Sequence, residues 1–155
     1  VKVQDYLAAE TMRSMEGMIR LVSGMAEDKV IWSALEEGRT ALDQVAECAL
    51  ICESLLDVIP TRQMPDFTPE MVAEYEASKK AMSMDQAVHR LRAATSALGD
   101  LIGAFPDGEL ESTMKFWGPE PWRMVDVLGY HNWNMTYHVG QINFIQTLYG
   151  DKQMG

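Results

Sequence analysis

The side chains best suited to chemistry lie near the end of the chain. In YHNWNMTYHVGQINFIQTLYGD, residues 130–151, stand two of the three histidines, His131 and His138, seven positions apart. On a helix, positions i, i+4 and i+7 share a face. His131, Asn134 or Met135, His138, Gln141 or Ile142, and Ile145 therefore form one stripe. The two imidazoles lie two turns apart, about 10 Å at the helical rise. Metal–nitrogen bonds are about 2 Å long, so a straight helix cannot bring both rings to one ion. His138 with Asn134 can reach one site, and so can His131 with Asn134 or Met135. An asparagine oxygen is a weak ligand for zinc or nickel but a good hydrogen-bonding group. A buried His–Asn–Gln stripe is costly unless satisfied, so it needs internal partners, water or a ligand.

Glu47 is the only charge in VAECALIC. Either it points inward, as a ligand or general base kept charged by a metal or by His138, or it faces water. The second reading places it on a stripe with Asp43, Ser54 and Asp57, interrupted only by Leu50. Cys48 and Cys52, four positions apart, read first as small core residues and second as part of a thiolate-rich zinc site with His138. His131 reads first as an interior hydrogen-bonding residue and second as a substrate contact; His89 reads as surface. Trp117, Trp122 and Trp133 either wall a small-molecule pocket or cap the end of the fold. No phosphate-binding loop, dinucleotide fingerprint, HExxH or nucleophile elbow occurs.

The elements that position these groups follow from periodicity and breakers. Residues 4–26 place Leu7, Met12, Met15, Met18, Ile19, Leu21 and Met25 at helical spacing, a Met-rich face that serves as core or as a partner surface. Residues 26–40 read as a connection. A second long helix is capped by Thr40, with Asp43 three positions on, and closed by Pro60. Thr68-Pro69-Glu70 starts a short helix after a proline-rich loop. A third long helix runs over 84–104, with Ala87, Leu91, Ala94, Leu98, Leu101 and Ile102 inward. The Gly/Pro-rich stretch that follows holds at most one extended piece, ESTMKFW. The fourth long helix runs from about Pro121 to Tyr149 and stops at Gly150. The expectation is all-α: a four-helix bundle with an extra short helix between the second and third long ones, one domain over 1–155.

Composition bounds the partners. The 155 residues suffice for one real core. Thirteen basic against twenty-three acidic residues leave a formal charge of −10, which disfavours nucleic acid and anionic membrane surfaces. No apolar run approaches the roughly 18 residues a membrane span requires. The first residues lack the pattern of a secretory signal. Two cysteines make no disulfide framework. Together these predict a cytoplasmic protein.

The segment YHVGQINFIQTLYGD resembles the last helix of the DinB-like superfamily, which carries a His-Arg-Gly-Gln-Ile-like stretch there and a second histidine four residues upstream. His138, Gly140, Gln141 and Ile142 match as written, with Val139 in place of the arginine. WSALEEGRTALDQVAECALI is similar to the family's second helix, where Gly-Arg-Thr precedes a third histidine. The resemblance implies a bundle that binds zinc or nickel through three histidines, with some members acting as thiol S-transferases or isomerases. The matching triad here is Glu47, Asn134 and His138, with Cys48 in place of Glu47 if the register shifts by one. One histidine of three survives, which implies a degenerate site with its divalent metal weakly bound or absent. By resemblance, Glu47 takes or orients a proton, and His138 ligates metal or acts as acid/base. Asn134, with Gln141, His131 and Trp133, contacts a small molecule in a pocket near His138. The rival expectation is a non-catalytic bundle acting through dimerisation or partner binding on the Met-rich first helix. Resemblance favours a homodimer.

Overall fold

The computed structural model describes residues 1–152; the last three positions of the domain expected over 1–155 lie outside the described residues. In chain order it forms α1 (Val3–Ser23), a single turn α2 (Glu27–Val30), α3 (Ala41–Thr61), α4 (Pro69–Ala81), α5 (Met84–Gly103), β1 (Thr113–Lys115), β2 (Pro121–Arg123) and α6 (Met124–Leu148). The expected four-helix bundle is present. Its long members are α1, α3, α5 and α6, and α4 is the extra short helix.

The connections set the topology. Helix α1 packs on α5 and α6, and α3 packs on the same two. The consecutive helices α1 and α3 thus stand diagonally, as do α5 and α6. Residues 24–40 and 104–123 are the long stretches that carry the chain across the bundle. Of the long helices, only α3 and α5 are neighbours in both sequence and space, and α4 lies on the path between them.

Local chemistry fixes the helix ends. Thr40 accepts the Asp43 N–H (3.0 Å) and Thr68 that of Met71 (3.3 Å), while Ser83 and Gln86 exchange two bonds in a capping box. Helix α6 ends on Gly150 at φ 88°, where the N–H groups of Gly150 and Asp151 reach back to the carbonyls of Thr147 (3.2 Å) and Gln146 (3.0 Å). That left-handed turn favours glycine and closes the orphan carbonyls.

The boundaries differ from expectation at three places. Pro60 falls inside the last turn of α3, which continues to Thr61 and closes on left-handed Arg62 (φ 59°), whose N–H bonds to the Val58 carbonyl (2.9 Å). The supposed plain connection after α1 contains α2. Most consequential, the fourth long helix begins at Met124, not Pro121. Residues 121–123 pair antiparallel with 113–115, Met114 opposite Trp122, so ESTMKFW has a partner strand. Proline suits the first position of such a strand. The hairpin also supplies acceptors for the start of α6: the N–H groups of Met124 and Val125 bond to the carbonyls of Ser112 (2.8 Å) and Leu110 (3.0 Å).

Two apolar clusters form the core. One gathers Met15, Met18, Ala41, Val45, Leu91, Met135 and Ile142; the other gathers Leu55, Leu98, Ile102, Phe116, Met124 and Leu128. Met15 and Met18 of α1 are fully enclosed, so this part of the Met-rich face is core. The polar side chains Thr95, His131 and Asn134 are buried within this core. No helix among the described residues is long and apolar enough to cross a membrane.

Candidate functional site

Glu47 on α3 and His138 on α6 meet across the bundle. The His138 Nε2–H donates to Glu47 Oε1 at 3.0 Å, and Nδ1 faces two amide oxygens, Gln141 Oε1 at 2.8 Å and Gln44 Oε1 at 3.0 Å. The NH2 group of Gln44 donates to the Thr40 carbonyl (3.3 Å), which keeps its oxygen turned to the imidazole. Tyr137 accepts from the Gln141 amide (3.1 Å) and its ring stands edge-on to His138. His138 is buried and held by these contacts, and it does not line the cavity beside Glu47.

The other Glu47 oxygen receives cations. Arg39 Nη2 donates to Oε2 at 2.5 Å, and its Nε donates to Asp43 at 2.6 Å. Lys79 Nζ stands 3.0 Å from Asp43, 3.0 Å from Glu76 and 3.9 Å from Glu47. Lys79 is 7% exposed and is the one buried residue of α4, so this ammonium pins the short helix to α3. Glu47 itself is 19% exposed at its side chain. Burial pushes its carboxyl up, yet the hydrogen bonds from His138 and Arg39 and the adjoining positive charge outweigh burial and hold it at about 2. Glu47 is a carboxylate at neutral pH.

Glu47 lines a half-open cavity of about 570 Å3 between α3, α4 and the hairpin loop. Its walls are mainly apolar: Leu50, Ile51, Leu55 and Val58 from α3, Met71 and Val72 from α4, and a ring cluster of Phe67, Phe116, Trp117 and Tyr130. Phe67 stacks on Trp117 with centroids 5.5 Å apart, and Phe116 meets Tyr130 edge-on at 5.0 Å. Tyr75 adds a second phenol. Burial and the nearby Glu47 and Glu76 carboxylates push the Tyr75 hydroxyl up, so it stays a hydrogen-bond donor.

The remaining expected residues divide. Asn134 is buried near the pair, but its Oδ1 accepts from the Cys48 thiol (3.4 Å). Gln141 touches His138 and borders a separate shallow groove with Tyr137 and Phe144. His131, expected as a substrate contact, is completely enclosed: its Nε2 pairs with Thr95 Oγ1 at 3.2 Å, and burial lowers it to about 3, so it is a neutral core residue. Trp133, likewise expected at the substrate, is 57% exposed on the outer face of α6, stacked on Tyr137. Trp117 is the tryptophan that lines the cavity. Cys48 and Cys52 are both buried free thiols, and burial pushes Cys52 up to about 12. His89 is exposed.

Arg39, Lys79, Gln44 and Tyr75 belong to the site without having been singled out. Arg39 lies just before the Thr40 cap, outside the helical stripe of Asp43 and Glu47, so periodicity did not single it out. Lys79 and Tyr75 carried no signal, because they arrive from another helix.

A four-helix bundle with diagonal consecutive helices and one interhelical Glu–His contact defines the class of protein. The chain matches the DinB superfamily over residues 11–142, and it belongs to that family. In fold it is similar to YfiT from Bacillus subtilis, described as a probable metal-dependent hydrolase with an unusual four-helix bundle topology. The TM-score is 0.78 at 15% identity, covering 95% of this chain and 87% of that one. A Streptococcus pneumoniae protein gives a TM-score of 0.72 at 14% identity, covering 99% and 93%. At such identities the likeness speaks for the fold alone. No curated protein matches in sequence.

The residues present do not suit the metal that the family resemblance implies. Of the three matching positions, Asn134 is a neutral amide turned to a thiol, and Glu47 already has a guanidinium and an ammonium beside it. Among the described residues, no group of three or more His, Cys, Asp and Glu is arranged to hold an ion. Two fixed cations oppose a third positive charge at the same carboxylate.

The depressed value of Glu47 makes a sign-definite prediction. Its ionised form stabilises the fold above its ordinary value near 4.5, and that contribution is lost as pH falls toward about 2. Glu47→Gln is expected to destabilise the protein at pH 7 by on the order of 2–3 kcal/mol. The gap in urea unfolding between wild type and variant should narrow steadily from pH 5 to pH 3; a gap independent of pH contradicts an ionised Glu47.

Proposed function

We propose that this DinB-family chain is a small-molecule-binding protein whose ligand lies in the cavity between α3 and α4. The observation that carries the reading is the coincidence of a half-open, mainly apolar cavity of about 570 Å3 with a half-buried, ion-paired carboxylate in its wall. Ligand sites are commonly apolar clefts of that size with a few placed polar groups. Glu47 is the polar anchor, His138 and Gln44 fix its orientation from behind, and Tyr75 supplies a donor. Asn134 supports α3 from inside the bundle through Cys48. In this role Glu47 can accept a proton or a hydrogen bond from the bound molecule, and His138 acts through it. A thiol-transfer role draws little support from the walls, since among the described residues no cationic side chain lines the space to hold a thiolate.

A second reading rests on α6. Trp133, Tyr137, Phe144 and Leu148 are exposed along one side of this helix, Phe144 by 63%, in a chain of net charge −10. An uncharged aromatic face on a strongly acidic protein suits a second copy of itself, since pairing there brings no like charges together. This face, rather than α1, would carry the homodimer.

Each reading has its measurement. The neutral probe N-phenyl-1-naphthylamine should bind with one site per chain. Val72→Trp, which fills the cavity from α4, should weaken it at least about tenfold, the loss of roughly 1.4 kcal/mol. Trp133→Ala, outside the cavity, should leave it unchanged. Equal binding by wild type and Val72→Trp refutes the site. For the second reading, light scattering after size exclusion should give twice the chain mass for wild type and a monomer for Phe144→Asp; a wild-type monomer at all concentrations refutes it.

A further inference from the structure

The charges around the α3–α4 cavity are already matched to one another. Asp43 has Arg39 at 2.6 Å and Lys79 at 3.0 Å, Glu47 has Arg39 at 2.5 Å, and Glu76 has Lys79 at 3.0 Å. A cationic ligand would reach these carboxylates only in competition with Arg39 or Lys79, and would stand beside their fixed charges. An anionic ligand fares no better. Glu47 and Glu76 are the charged side chains that line the space among the described residues, with no cation on the walls to receive it. Either ion would also give up its water for walls that are mainly apolar. A ligand without net charge meets none of these costs.

The same end of the cavity offers hydrogen bonds to a dipole. Glu47 Oε1 accepts from His138 and Oε2 accepts from Arg39, so each oxygen retains a lone pair. Tyr75 also lines the cavity, and Lys79 Nζ lies 5.3 Å from its ring centroid and 3.9 Å from Glu47, which places the phenol at the carboxylate end. The Tyr75 hydroxyl has no hydrogen-bond partner among the described residues. Glu47 thus offers an acceptor and Tyr75 a donor. A hydroxyl group complements both, because its O–H donates and its oxygen accepts. Its bond to a carboxylate belongs to the strong, charge-assisted class and brings no net charge into the site. The rest of the wall is aromatic. Phe67, Phe116, Trp117 and Tyr130 are continuous, with neighbouring centroids 5.0–6.2 Å apart. Planar ring systems pack well on such surfaces, edge-on or offset.

We propose that the cavity binds an uncharged aromatic molecule bearing a hydroxyl group. The hydroxyl lies toward Glu47 and Tyr75, and the ring system lies against Phe67, Phe116, Trp117 and Tyr130. The inference rests on the proposed binding function and specifies the ligand class of that same site.

Four naphthalenes of similar size test it: 2-naphthalenemethanol, its methyl ether, 2-naphthylmethylammonium and the anion 2-naphthoate. Each is titrated into the wild-type protein at pH 7, by calorimetry and by displacement of N-phenyl-1-naphthylamine. The alcohol should bind at least about tenfold tighter than either ion. It should exceed the ether, which keeps the oxygen but loses the donor, by the same factor, roughly 1.4 kcal/mol. Tyr75→Phe should weaken alcohol and ether alike, by about threefold or more. Val72→Trp should weaken the alcohol as it weakens the naphthylamine. An ion that binds as tightly as the alcohol overturns the uncharged assignment, and an ether that does so overturns the hydroxyl. Unchanged affinity for the alcohol in Val72→Trp or in Tyr75→Phe overturns its placement in this cavity. If the naphthylamine binds and the alcohol does not, the ligand class is wrong and the binding function stands. When neither binds, both fail. The wild-type series decides the ligand class even if a variant does not fold.

Discussion

The structure turns on a carboxylate partly withdrawn from water between two helices. Glu47 belongs to α3 and its main partner, His138, to α6, two helices of the bundle that are far apart in sequence. A charge in that position is costly unless every exposed lone pair finds a donor. The surroundings supply them: an imidazole from one side, a guanidinium from the other, an ammonium close by. Removing any one partner leaves the others facing an uncompensated charge, so these side chains act as a unit. The unit also explains α4. That helix buries little of itself, and Lys79 is the residue that ties it to Asp43 and Glu47. Without these carboxylates α4 has weak reason to lie where it does, and without α4 the cavity loses one wall.

Where resemblance to the family implies three imidazoles around an ion, this chain places one imidazole, one carboxylate, one amide and two permanent cations. Positive charge still sits beside an anionic group in the middle of the bundle, but side chains carry it. The amide Asn134 has turned to Cys48, linking α6 to α3 through a contact that needs no ion. His131 and Thr95 form a second, independent polar pair deeper in the core. Hydrogen bonds of this kind across a bundle favour one registry of the helices over its neighbours, since sliding either helix would strand buried polar atoms.

Much of this was legible in the sequence, for identifiable reasons. The long helices announce themselves through apolar periodicity, and their starts through Thr40 and Thr68, because capping is local chemistry. The stripe of His131, Asn134, His138, Ile142 and Ile145 is buried as its spacing requires. The inward direction of Glu47 was not legible from periodicity. Asp43, Ser54 and Asp57 share its stripe, and Ser54 and Asp57 do face water. What turns the first part of that stripe inward is α4, arriving from another part of the chain. The family resemblance pointed to Glu47 where the helical pattern left two answers. The hairpin was hidden because residues 121–123 read equally well as a proline-started helix, and strand pairing is a long-range choice. His131 and Trp133 look alike as pocket residues on a list; only packing separates a sealed imidazole from a solvent-facing indole.

Metal content tests the replacement of an ion by side chains most directly. Protein purified without chelator, loaded with excess zinc or nickel and then dialysed, should retain less than about a tenth of an equivalent of either metal. His138→Ala should retain no less than wild type. One equivalent held by the wild-type chain and lost from His138→Ala would mean that Glu47 and His138 close around an ion and not around each other.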